Sequence, residues 1–228
     1  MELKIDNWNK MSIKDYCKIQ EYANNKEMEA FDVEVGFISV LCGVSEEEIL
    51  NLPVPEFQRL RSQGQFIAEF PETKAKAPKK LILNNKEYEV HTDMSKIITS
   101  QYIDFQTFIK LNDLNKYLPN ILACFIVPKG CQYGDGNYDM DELIEDIRNE
   151  LGVLTAMEMC NFFMKAFLSY MDAILRYSEK KMRKATSKMD KEKTKEIMEK
   201  IKEVRLMIDG AGFQQLTQYQ KPLENHGR

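Results

Sequence analysis

The chain has 228 residues, 43% of them hydrophobic and 30% charged, and a net charge of only -4. Those values fit a folded globular chain, and the mild acidity argues against a general nucleic-acid binder, which carries a strongly basic face. No run approaches 18 apolar residues, and the opening Met1-Glu2-Leu3-Lys4-Ile5-Asp6 lacks an apolar signal region, so an intracellular chain without a membrane span is expected.

Along the chain, Ser12-Ile13-Lys14-Asp15 has the form of a helix start, and a helix to about Asn24 places Ile13, Tyr16, Cys17 and Ile19 largely on one side. Phe31, Val35, Ile38, Leu41 and Cys42 are spaced as a helix from about Ala30 to Cys42, with Gly43 placed to end it. Ser45, followed by Glu46, Glu47 and Glu48, opens a short helix. Pro53 and Pro55 end it and begin another to about Glu69. Residues 71–80 form a polar connector.

The period then changes. Lys80-Leu81-Ile82-Leu83 and Glu87-Tyr88-Glu89-Val90 flank Asn84-Asn85-Lys86, a β-hairpin pattern, and no other segment reads strongly as a strand. Thr99 or Ser100 caps a helix to about Leu111, with Tyr102, Phe105, Gln106 and Ile109 on one face. Asp113 caps the next, through Leu114, Leu118, Leu122 and Phe125 to Val127, where Pro128 stops it; Pro119 kinks or splits it. A loop with Gly130, Gly134 and Gly136 leads to a helix capped at Asp139 and reaching about Leu151. Thr155-Ala156-Met157-Glu158 is a capping box for a long helix to about Lys184.

The last third differs in charge. Residues 176–205 hold 12 Lys or Arg against 6 Asp or Glu, a local +6 that leaves -10 on the rest. Within it, Ile197, Ile201, Val204 and Ile208 recur at four, three and four, a narrow coiled-coil-like seam. That seam is read either as packing on a neighbour or as folding back on the long helix before it, with Thr186-Ser187 separating the two. The predicted fold is mainly α: a multi-helix bundle with one small β-hairpin and a long charged C-terminal helical arm. Its parts are an N-terminal helical part (1–70), a linker and hairpin (71–98), a central helical core (99–175), and a basic arm and tail (176–228).

No catalytic constellation is legible. His91 and His226 are the two histidines, and neither has a neighbouring motif that makes it a base. The cysteines, Cys17, Cys42, Cys124, Cys131 and Cys160, contain no Cys-x-x-Cys pair and read as reduced core residues. The glycines at 130, 134 and 136 match neither a phosphate loop nor a dinucleotide fingerprint. Asp135, Asp139, Asp141, Glu142 and Glu145 are clustered but lack the EF-hand order, and helix capping explains most of them. No cofactor or metal is expected. The basic run Lys180, Lys181, Arg183 and Lys184 is the one cluster that points outward. It reads as a solvated helix end or as a contact for an acidic protein surface; acids interrupt the stretch from Glu192 onward, so DNA contact is possible but not predicted.

The segments 38–49, 100–106 and 118–128, with Tyr138-Asp139 and Asn161-Phe162-Phe163, resemble proteins of tailed bacteriophages of Bacteroides-type hosts, including crAss-like phages. The resemblance covers roughly residues 31–167. It implies a virion protein, assembled in the host cytoplasm, that forms a head-to-tail connector ring from copies of itself on the portal beside other tail or connector proteins. The segment Gly43–Ile49 also resembles tail assembly chaperones, which leave before the particle matures; the basic stretch beyond Arg176 is foreign to that pattern.

Overall fold

The computed structural model describes residues 3–5, 7–69, 71–111 and 113–185. In chain order it holds α1 (Ile13–Asn24), α2 (Ala30–Cys42), α3 (Glu46–Leu50), α4 (Val54–Gly64), β1 (Lys80–Leu83) and β2 (Lys86–Val90). There follow α5 (Thr99–Lys110), α6 (Leu114–Ala123), β3 (Ile126–Pro128), α7 (Met140–Glu150) and α8 (Val153–Ala185). The molecule is mainly helical, with one small antiparallel sheet ordered β1-β2-β3.

Side-chain oxygens start four of the helices. Ser12 accepts from the Asp15 amide, Ser45 from Glu48, Asp113 from Lys116, and Asp139 from both Asp141 and Glu142. Gly43, at φ +67°, closes α2 in the left-handed region. Two starts differ from expectation. The cap position of α5 is Ile98, whose amide is taken by the Gln101 side chain at 3.3 Å, so neither Thr99 nor Ser100 caps it. And α8 begins at Val153, two residues before the Thr155 box. Its first amide donates to Met11 O at 2.8 Å, so another segment satisfies a group that a side-chain cap would otherwise serve.

The hairpin turns through Asn84 (φ 47°) and Asn85 (φ 60°), with Leu83 paired to Lys86. Both central residues are left-handed, as a two-residue hairpin turn of matching twist requires. The sheet has a third strand that the sequence reading placed in a helix. α6 runs unbroken through Pro119 but stops at Ala123, and Ile126 and Val127 pair with Val90 and Glu89. From Ile121 to Val127 every residue is apolar and buried, so this stretch has no periodicity to separate helix from strand.

Phe105, Phe125, Phe163 and Phe167 centre the main core, with the Phe125 and Phe163 rings stacked at 4.0 Å. Ile13 belongs to this core, while Trp8, Tyr16, Ile19 and Val153 form a second cluster and Val35, Ile38, Ile49 and Leu60 a third. A short backbone bridge joins the entries to α1 and α8. Ile13 N donates to Leu151 O and Val153 N to Met11 O, with Ser12 opposite Gly152.

Candidate docking surface

The sequence-predicted arm begins on α8. This helix has 33 residues, so it is about 50 Å long. Its inner part follows helical periodicity into the core: Met159, Cys160, Phe163, Met164 and Phe167 are buried. Met171 is the last residue of α8 packed on that core, which leaves a stretch of about 20 Å to Ala185 beyond it. Along this stretch Ile174 is 39% and Tyr177 61% exposed, and Asp172 pairs with Arg176 one turn on at 2.7 Å.

Lys180 and Lys181 are exposed, and the Lys181 ammonium lies 5.1 Å from the centre of the Tyr177 ring, within cation–π range. Arg183 and Lys184 belong to the same helix. All four basic residues therefore belong to the end of one helix, and Lys181 lies over an exposed aromatic ring that sequence reasoning did not single out. Its signal was Tyr177 standing four residues before Lys181. The seam residues Ile197, Ile201, Val204 and Ile208 lie outside the described residues.

A second surface is made by the packing of α1 on α2 and α3, which encloses an open cleft of about 640 Å³. Gly36 lets the Tyr22 ring that lines the cleft pack against α2, since a β-carbon there would overlap it. The Tyr22 hydroxyl donates to the Glu46 carboxylate across the cleft, and this bond holds the phenol above its usual range. Asp15, Glu21 and Glu46 line the cleft with Lys18, so acids outnumber bases. Glu46 stands 25 residues after Glu21 and 31 after Asp15, and no local pattern marks them as one surface.

Several other polar groups are engaged in structure. Asp146, on α7, is 8% exposed; it accepts from Tyr88 Oη at 2.7 Å and Asn84 Nδ2 at 3.2 Å, with Lys86 Nζ at 3.6 Å. It ties the hairpin to α7, and burial together with this bond raises the Tyr88 phenol. Asp104 accepts from Tyr133 at 2.7 Å. Burial pushes the Cys17 thiol up to about 11 and those of Cys124 and Cys160 up to about 12, so none is a thiolate nucleophile near neutrality.

In the glycine loop, Asp135 accepts from the amides of Gln132 and Asn137, which hold its carboxyl below the usual range. His91 follows β2, and its amide donates to Phe125 O at 2.8 Å. Among the described residues no three His, Cys, Asp or Glu side chains are grouped to hold a metal ion, and no helix is long and apolar enough to cross a membrane.

No protein family, no curated protein and no solved structure matches this chain.

Proposed function

We propose that the chain is a docking subunit without a chemical step: a component of a head-to-tail connector ring in a tailed bacteriophage, resident in the virion. The observation that carries the docking reading is α8, which outruns its own core by about 20 Å and ends in exposed Lys180 and Lys181 beside Tyr177. A helix continued past its packing partners exposes side chains that stabilise nothing within the described body. The acidic cleft at Asp15, Glu21 and Glu46 is of complementary sign, and an arm of one copy laid on the body of the next is a head-to-tail contact. Repeated around an axis, such contacts close into a ring, and charge complementarity fixes their register. The phage assignment rests on the resemblance of roughly residues 31–167 described above.

The purified full-length chain, alone and with the portal protein of the same phage, is the test. Light scattering and projection images down the particle axis are expected to show a closed ring. A monomer that binds no virion component, or one that turns over a substrate, refutes the proposal. The chaperone alternative is separated by mass spectrometry of purified particles, in which a chaperone is absent.

A further inference from the structure

The inner stripe of α8 does not stop where the core stops. Phe163, Phe167, Tyr170, Ile174, Tyr177 and Lys181 follow one another at four, three, four, three and four, the spacing that keeps residues on one face of a helix. The first two are buried, Tyr170 is half-buried, and Ile174 and Tyr177 are 39% and 61% exposed. The face that seats α8 on its own core therefore runs on, apolar for two more steps, and ends in a cation. An apolar stripe continued past its core is a surface for a second body.

A surface of matching kind lies on the amino-terminal helices. Phe31 on α2 lies against Phe57 on α4, with ring centres 5.6 Å apart. Val54 stands one turn before Phe57, and Leu50 ends α3 just before it. Phe31, Leu50 and Val54 are each more than half exposed. α3 also carries acids on the side of Leu50, since Glu46 and Glu47 precede it by four and three residues. Glu46 accepts the Tyr22 hydroxyl, which leaves Glu47, exposed and without an ion pair among the described residues.

We infer that the outer stripe of α8 in one copy seats on the patch of α2, α3 and α4 in the next, with α8 antiparallel to α3. Tyr177 then covers Leu50, and Lys181 reaches Glu47. The two surfaces match in spacing as well as in sign. Tyr177 and Lys181 stand about 6 Å apart along α8, and Glu47 and Leu50 about 5 Å apart along α3, in the reverse order. Both surfaces are uncovered in the single chain, so the contact joins copies head to tail. The inference rests on the proposed docking of copies. It adds the apolar seat that the acidic cleft alone does not supply, with Glu46 of α3 on the cleft and Leu50 on the patch.

The test uses the full-length protein in two singly substituted forms, Leu50→Cys and Tyr177→Cys, mixed, oxidised under assembly conditions and mapped by peptide mass spectrometry. A 50–177 bond formed in that mixture can only join two chains. Its yield is expected to be at least tenfold above that of Ile82→Cys mixed with Tyr177→Cys, Ile82 being a still more exposed residue on β1. Leu50→Asp alters an exposed side chain, so it is expected to keep the melting temperature and to lose ring assembly. Lys181→Glu is expected to raise the concentration needed for assembly at least tenfold, and Glu47→Lys in the same chain to restore most of it. Rings whose 50–177 yield is no better than the control, or that Leu50→Asp leaves unchanged, overturn the inference and keep the ring; the stripe is then covered by the chain's own carboxy-terminal residues or by another protein. Failure of Glu47→Lys to restore assembly overturns the antiparallel seat. A 50–177 bond between chains that close no ring keeps the contact and refutes the connector reading, and monomers at every concentration refute both.

Discussion

Asp146 is the polar residue through which the hairpin and α7 hold each other. Tyr88→Phe removes its nearest donor and leaves a buried carboxylate oxygen short of a partner, at a cost of about 1–3 kcal/mol. Urea denaturation of the two proteins, compared at constant slope, checks this. Glu87 behaves differently. Lys129 and Lys80 hydrogen-bond its carboxylate at 2.7 and 2.8 Å and lower its pKa from 4.5 to about 2. A carboxylate whose folded pKa is depressed adds stability above its unfolded pKa and loses it as pH falls through the folded value. Glu87→Gln is therefore expected to flatten the fall in melting temperature between pH 4.5 and about 2, modestly, because solvent and salt screen the cluster. Asp146 itself was hidden in the sequence among the acids of an Asp- and Glu-rich helix. Its signal was positional: with Leu143 and Ile147 it shares the i, i+3, i+4 face that α7 turns inward.

Four of the described α-helices begin where a side-chain oxygen accepts their first amides. Asp139→Ala removes the acceptor for two of them and is expected to lower stability by about 0.5–2 kcal/mol, read by thermal unfolding followed by circular dichroism. At the α1–α2 contact, Gly36→Ala forces the Tyr22 ring aside, breaks its bond to Glu46 and costs about 1–3 kcal/mol in the same assay. Elements announced by local chemistry were legible: Ser12, Ser45, Asp113 and Asp139 as caps, Gly43 as a stop, and Asn84-Asn85 as a tight turn. Elements that depend on distant partners were not. β3 exists because β2 offers a free edge, and α8 starts early because Met11 O lies within reach of the Val153 amide. Neither partner is near in sequence, so neither leaves a local mark.

At the scale of the whole molecule, the buried core and the proposed docking surface occupy different residues. Among the described side chains of α8 the last buried one is Phe167, so deletion of 176–228 is expected to leave cooperative unfolding intact and move the melting temperature by no more than about 2–4 °C. Calorimetry reads that outcome, and light scattering of the same protein reads the expected loss of ring assembly. The split was partly visible in the sequence as a change of sign, +6 on residues 176–205 against -10 on the remainder. The acidic cleft was not, because Asp15 and Glu46 come to line one surface only when α1 and α3 both pack on α2.

The bridge between Ser12 and Gly152 also governs how the chain comes off the ribosome. The apolar side of α1 emerges first, yet the strand-like contact that seats it is completed about 140 residues later. At roughly 5–20 residues per second, that is a wait of about 7–28 seconds before Leu143, Ile147 and Leu151 can cover Ile13, although α2 already shields Tyr16 and Ile19. The Ile13 side of the amino-terminal helix should thus stay vulnerable to protease until translation passes Val153.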